Sequence, residues 1–280
     1  MFDYINYNGK FHSKDEPIFS SDNRSFHYGD GLFETIRFSN GNLMFLEDHY
    51  SRLLRGAAYL KLELPEYFNL DFLKKQITDT TESNDISLNA RVKVTLFRDG
   101  VGKYEPETNG AHWLIKTTPL YRPDYQWNEE GLHLGVFEKS KKTCDESSNY
   151  KTTSSLLYVL AAVYKNESGF DESIIFNTKG NIADTIYSNL FAIQGNKIIT
   201  PPLNEGCIDG VMRKQVLKLA RKADYKVSEE ILTTNDIYCA DEVFLTNAIK
   251  GIVWVNQYSD NKYSNEVSKQ LLDNLNELIA

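Results

Sequence analysis

The period of the hydrophobic positions changes along the chain, and each change marks an element. From Phe2 to Phe11 aromatic and polar residues alternate around Asn8-Gly9, a pair that favours the tight turn of a hairpin. The turn-rich SSDNRS then leads into two strands, Leu32 to Phe38 and Leu43 to Phe45, on either side of Asn40-Gly41. A helix follows from about Glu47 and carries Asp48, His49 and Arg52 on its first turns. Pro65 closes that region, and Leu70, Leu73 and Ile77 give helical spacing between Leu70 and Glu82. Ala90 to Phe97 (ARVKVTLF) alternates with period two, and Ala111 to Thr117 (AHWLIKT) is a further strand run. The first 117 residues thus read as a small domain, an antiparallel sheet with two helices.

Residues 118–130 contain two prolines and no periodicity, which marks an interdomain linker. Beyond it the pattern predicts a strand (Leu132 to Phe137), a helix from about Thr153 to Asn166, and strands at Glu172 to Phe176, Leu190 to Ile193 and Lys197 to Ile199. A helix from Gly210 to Ala223, a strand from Glu242 to Thr246 and a closing helix from Ser264 to Ile279 complete a larger domain over residues 131–280. Strands mixed with helices, without regular βαβ alternation, indicate an α+β protein of two domains.

Composition narrows the class. With 280 residues, 41% of them hydrophobic and 12% aromatic, the chain can build substantial cores. A net charge of −8, with no clustered basic stretch, argues against a nucleic-acid partner but leaves room for small anionic ligands. No apolar run is long enough for a membrane span, and the N-terminus lacks the pattern of a signal peptide. Cys144, Cys207 and Cys239 are odd in number and far apart, which suits a reducing cytoplasm better than a disulfide framework or a zinc site. The five histidines form no paired spacing, so no metal is expected.

The candidate chemistry clusters in SSNYKTTSSLL and the residues after it. Lys151 lies between small polar residues and an apolar run, just before a predicted helix start, whose partial positive charge disfavours a fixed cation there. A nucleophilic, proton-carrying lysine needs such a setting; the plain alternative is a surface lysine. Asp184 in NIADTIYSNLF is either a turn carboxylate or a buried anion. Gly210, at the start of a helix, offers backbone N–H groups to a phosphate, with Arg52 as a possible counter-charge. TNAIKGI, from Thr246 to Ile252, offers further contacts, and FRDGVGKYEPE offers Arg98 and Lys103 to a substrate carboxylate.

Taken in order, FHYGDGLFETIR, DHYSRL, NYKTTSSLL, NIADTIYSNLF, ITPPLNEGCIDGVMRKQVL and DEVFLTNAIKGI resemble the class IV aminotransferases, the fold-type IV pyridoxal-phosphate enzymes, over nearly the whole chain. The resemblance implies a small antiparallel domain, a larger mixed barrel-like domain, pyridoxal 5′-phosphate as cofactor, and a homodimer whose site is completed by partner residues equivalent to Tyr28 to Arg37. It implies that Lys151 carries the cofactor as a Schiff base and moves protons. Arg52, Gly210, Val211 and Met212 then hold the phosphate, with Ser188, Asn189, Asn247 and Ala248 completing the cofactor site. Asp184 faces the pyridine nitrogen, where the family usually has the longer glutamate. Tyr28, Phe33, Arg98 and Lys103 are the implied substrate contacts. The D-amino-acid branch binds the substrate carboxylate with residues that are here Phe33, Lys103 and Glu105, which turns the reading away from that branch. GVMR and TNA resemble aminodeoxychorismate lyases, so the leading expectation is elimination of pyruvate to give 4-aminobenzoate for folate synthesis. The alternatives are an aminotransferase acting on branched-chain or D-amino acids or on amines, and a non-catalytic protein that binds a small anion.

Overall fold

The computed structural model describes residues 3–279; Phe2, the first residue of the expected hairpin, lies outside them. The chain forms two compact units that are not contiguous in sequence. One runs to Pro123 and takes back Tyr150–Ser155; the other holds Asp124–Asn149 and the chain from Leu156 onward.

The first unit is a six-stranded antiparallel sheet. Its strands are β1 (Tyr4–Tyr7), β2 (Lys10–Ser13), β3 (Gly31–Ser39), β4 (Asn42–Leu43), β5 (Ala90–Arg98) and β6 (Ala111–Pro119), in the order β2-β1-β6-β5-β3-β4. Asn8 and Gly9 both adopt positive φ, the conformation the expected hairpin turn requires. A short helix not foreseen from the pattern, α1 (Arg24–Tyr28), precedes β3, capped by the Asn23 side chain. The helices α2 (Leu46–Tyr59) and α3 (Leu70–Ser83) follow β4. Because side chains alternate across a strand, Leu32, Ile36, Val92, Val94, Leu96, Trp113 and Ile115 share one face and bury against Leu53 and Ala57 of α2 and Leu73 and Ile77 of α3. The other parity puts Phe33, Arg91, Lys93, Thr95 and Lys116 on the opposite face.

The second unit is built on a mixed, curled sheet of nine strands. They are β7 (Leu132–Lys142), β8 (Glu172–Asn177), β9 (Ile182–Thr185), β10 (Asn189–Gln194), β11 (Lys197–Thr200), β12 (Lys226–Glu229), β13 (Glu242–Asn247), β14 (Gly251–Tyr258) and β15 (Asn261–Lys262). β7 pairs parallel with both β14 and β8. The helices are α4 (Leu156–Ser168), α5 (Val211–Lys222), α6 (Thr234–Tyr238) and α7 (Glu266–Ile279), of which α5 packs on β13 and α7. Residues 118–130, read as a linker, are not loose: Tyr125 is 2% exposed, its backbone exchanges hydrogen bonds with the Asn276 amide, and Trp127 stacks on Trp254. These aromatic anchors bury enough apolar surface to offset the disorder that proline-rich sequence favours. β7 also runs five residues past its expected end, because the polar EKSKK carries no alternation to announce a strand, yet its last lysine is buried.

Candidate active site

In the first unit the chemistry gathers around Phe33 of β3. The segment bearing Lys151 docks on this strand: Phe33 N–H donates to Lys151 O (2.8 Å), Thr153 N–H donates to Gly31 O (2.9 Å), and Thr152 bridges Leu32. α4 begins at Leu156, past Thr153, so the setting of Lys151 comes from this docking and not from a helix terminus at the next residue. Lys151 Nζ lies 4.7 Å from the Phe33 ring centroid, and Lys93 Nζ from β5 lies at the same distance. Burial, then the like charges of Arg91 and Lys116, lower the pKa of Lys93.

One parity step away, Glu34 points into the core. Arg52 of α2 grips its carboxylate through two hydrogen bonds, Nε to Oε1 at 2.8 Å and a terminal nitrogen to Oε2 at 2.6 Å. His49, one helical turn before Arg52, bonds Oε2 through Nδ1 at 2.7 Å, and its buried Nε2 has no partner among the described residues. Burial disfavours the Glu34 charge, but Arg52 and His49 outweigh it and hold the carboxyl at about 2. Burial, reinforced by the charges of Arg52 and Lys151, pushes His49 below its ordinary value against the pull of Glu34. The guanidinium expected to meet a phosphate is therefore held and oriented by an internal carboxylate.

The expected substrate contacts separate. Arg98 is 7% exposed and its guanidinium is spent inside the unit, on Asp30 Oδ2 (3.0 Å), Asn109 Oδ1 (2.7 Å) and Leu60 O (2.6 Å). The residue expected to meet a substrate carboxylate is thus engaged within the unit, as a buried guanidinium has to satisfy its donors internally. Asp30 also receives Arg24 Nε at 3.0 Å, and Arg24 clasps the carbonyls of Gly102 (3.2 Å) and Lys103 (2.5 Å). The Lys103 side chain is exposed, and Tyr28, 41% exposed, sets its ring 5.6 Å from Tyr104.

In the second unit Asp184 lies on β9, 2% exposed, not in a turn. Its Oδ2 meets Lys142 Nζ (2.7 Å), Ile208 N–H (3.0 Å) and the Tyr158 hydroxyl (3.4 Å), and its Oδ1 accepts from Asn189 Nδ2 (3.0 Å). Asn189 links this carboxylate to α5. A Cβ on Gly210, the residue before Val211, would stand 1.9 Å from Asn189 Oδ1, so only glycine lets the two meet. The N-cap of α5 is Gly210, which has no side chain to cap the helix, and Val211 and Met212 supply the first N–H groups. Opposite Asn189 on β13, buried Thr246 Oγ1 has no partner among the described residues. Next to it Asn247 donates to Ser188 Oγ (3.0 Å), while the Ala248 carbonyl accepts from Tyr125. An uncapped helix start, a glycine held close to a side-chain amide and an unpartnered buried hydroxyl together suit a phosphate group.

Sequence reading passed over Glu34, Lys93, Lys142 and Tyr158, gave His49 no role, and offered Thr246 only as part of TNAIKGI. Two signals were present. Glu34 breaks the apolar parity of Leu32 and Ile36, and His49 and Arg52 share a helix face three residues apart. For Lys142 and Tyr158 no local pattern exists, since only the fold brings them to Asp184. Among the described residues no group of His, Cys, Asp or Glu is arranged to hold a metal, and no helix is long and apolar enough to cross a membrane.

Comparison with known proteins supplies the context for these two groups of residues. The family model described as amino-transferase class IV matches residues 31–258. The chain is 30% identical over 290 residues to a protein described as a probable branched-chain-amino-acid aminotransferase of Aquifex aeolicus, covering 96% of this chain and 90% of that one. It is 28% identical over 260 residues to the aminodeoxychorismate lyase of Vibrio harveyi, covering 90% and 94%. The branched-chain aminotransferase of the archaeon Thermoproteus uzoniensis, solved with norvaline, shares its fold with a TM-score of 0.91 at 22% identity, over 100% of this chain and 95% of that one. An α+β chain whose match runs from the strand bearing Phe33 to the end of β14 thus belongs to the class IV aminotransferase family.

Proposed function

We propose that the protein is a pyridoxal-phosphate enzyme acting as an aminodeoxychorismate lyase, with Lys151 as its proton-transfer residue. The cationic outer face of the first sheet carries the choice of substrate. Lys93 stands directly opposite Lys116 in register, with Arg91 two residues along β5. Like charges paired across strands repel, and an anion with more than one carboxylate relieves that repulsion. Aminodeoxychorismate carries two carboxylates, whereas a branched-chain substrate offers one and an apolar side chain.

When bound, pyridoxal phosphate supplies an electron sink for the substrate. Lys151 removes and returns the substrate proton at Nζ. Asp184 would present its negative charge to the cofactor's ring nitrogen, and the start of α5 with Thr246 would hold its phosphate, while Arg52, oriented by Glu34, is the cation that the first unit offers to an anion. Lys93, beside Phe33, binds a substrate carboxylate in place of Arg98, with exposed Lys103 as a second candidate. The runner-up, amino transfer to a 2-oxo acid, would use the same residues. Pyruvate release from aminodeoxychorismate, with no accumulation of the amine form of the cofactor, is the expected result. Stoichiometric conversion to the amine form by an L- or D-amino acid, without pyruvate release, would establish the transaminase instead.

The enzyme works as a homodimer in the cytoplasm, on the path to folate. Leu156, Val159, Leu160 and Val163 form a stripe along α4, 68%, 54%, 44% and 47% exposed, at the spacing of one helix face. So much apolar surface on one helix calls for a partner, and a second copy of the chain supplies an equivalent stripe. Val159→Asp is expected to shift the sedimenting species from dimer to monomer; a wild-type chain that sediments as a monomer at micromolar concentration would refute the assembly.

A further inference from the structure

The geometry points to Lys142 as a positioning residue that acts through Asp184, setting how strongly the carboxylate holds a proton on the ring nitrogen of the bound cofactor. This rests on the reading of Asp184 given above. Lys142 ends β7 with a side chain 7% exposed, and its Nζ sits 2.7 Å from Asp184 Oδ2. It also lies 5.5 Å from the centroid of the Tyr158 ring, whose hydroxyl reaches the same Oδ2. The carboxylate is therefore one member of a buried cluster comprising a lysine, a phenol, the Ile208 N–H and the Asn189 amide.

The charge balance within this cluster decides its effect. A carboxylate facing a pyridine nitrogen with no cation beside it stabilises a proton on that nitrogen through the full attraction of opposite charges. An ammonium at 2.7 Å on the same carboxylate cancels much of that attraction, because the field reaching the ring is that of an ion pair. Burial works against the Lys142 charge, but the Asp184 carboxylate more than restores it, so the lysine stays protonated. Burial, followed by the charge of Asp184, raises the Tyr158 hydroxyl to about 12, against the pull of Lys142. Cys207, also near Asp184, is raised to about 12, first by burial and then by the Asp184 charge. Tyr158 and Cys207 are thus neutral, and Arg213, whose charge also reaches Cys207, is turned onto Glu229 at 2.6 Å. Asp209 adds a further negative charge near Cys207. Of the four partners of Asp184 named above, Lys142 is the cation. A weakened hold on the ring proton makes the cofactor a milder electron sink, which favours expulsion of a leaving group over prolonged storage of charge on the ring.

The test follows the ring nitrogen itself. Holoenzyme is reconstituted with pyridoxal phosphate labelled with ¹⁵N in the ring, and the ¹⁵N shift is recorded against pH for the wild type, Lys142→Gln, Lys142→Met and Lys142→Arg. The two neutral variants are expected to raise the pH of half-protonation by about one unit or more, a gain of about tenfold or more in proton affinity. Lys142→Arg keeps the cation and is expected to titrate like the wild type. Glutamine still donates a hydrogen bond to Asp184, so it carries the test if the methionine variant does not fold. Neutral variants that fold, bind the cofactor and titrate like the wild type would overturn the role of Lys142. A wild type that takes up no pyridoxal phosphate would instead overturn the functional reading, and the role of Lys142 with it.

Discussion

Lys151→Ala is expected to lower turnover by about a thousandfold or more and to abolish the visible absorption of the reconstituted enzyme, with the thermal midpoint little changed. The fold should tolerate the change because the backbone holds this segment on β3: the hydrogen bonds between Phe33 N–H and Lys151 O and between Thr153 N–H and Gly31 O survive truncation of the side chain. What disappears is an amine whose position, 4.7 Å from the Phe33 ring centroid, is fixed by that docking. Lys151→Arg separates charge from chemistry. Arginine would preserve a cation beside Phe33, but it remains protonated throughout the accessible pH range and cannot give up its proton to act as base or nucleophile. An arginine variant with near-native turnover would show that the lysine contributes only charge, and the assignment would fall.

The second large effect is structural. Glu34→Ala should destabilise the protein by about 3–5 kcal/mol, because it strands the Arg52 guanidinium in a site where that residue is 5% exposed. Urea unfolding monitored by circular dichroism would read this as a lower midpoint with an unchanged slope. The pH dependence gives an independent check. Glu34 has its carboxyl lowered from 4.5 to about 2, so its contribution is complete above the unfolded value and is lost as the pH falls towards 2. That difference corresponds to about 3 kcal/mol of acid-sensitive stability. Glu34→Ala removes this dependence, so the gap between wild type and variant should narrow as the solution is acidified from pH 5 to pH 2. A gap that is constant over that range would mean that folding does not shift the Glu34 carboxyl, and one that widens would mean that Glu34 is uncharged in the folded state.

Arg52 reads in sequence as a lone cation on a helix, but the fold couples it to Glu34 and His49, so its direction is set within the first unit. A preorganised guanidinium spends less conformational freedom on binding than a solvated one, at the cost of partial neutralisation by Glu34.

Local pattern and motif order were enough to make the family, the α+β class and most elements legible. Period-two runs identify strands because alternate residues must face a core, and glycine in the Asn8-Gly9 pair reports a backbone that other residues avoid. Lys151, Asp184 and Gly210 stand out as candidates because the resemblance to the family fixes the order of its motifs along the chain. The partners of these residues were decided by tertiary structure. Arg98 and Lys142 are both basic residues at strand ends, yet the fold spends the first on Asp30 and backbone carbonyls and aims the second at Asp184. Nothing within several residues of either distinguishes them. Sequence determined which groups able to ionise were present and which strands carried them, since propensity and side-chain alternation are local. The tertiary structure decided which charges were buried together, because desolvation and pairing depend on neighbours distant along the chain, 42 residues apart for Lys142 and Asp184.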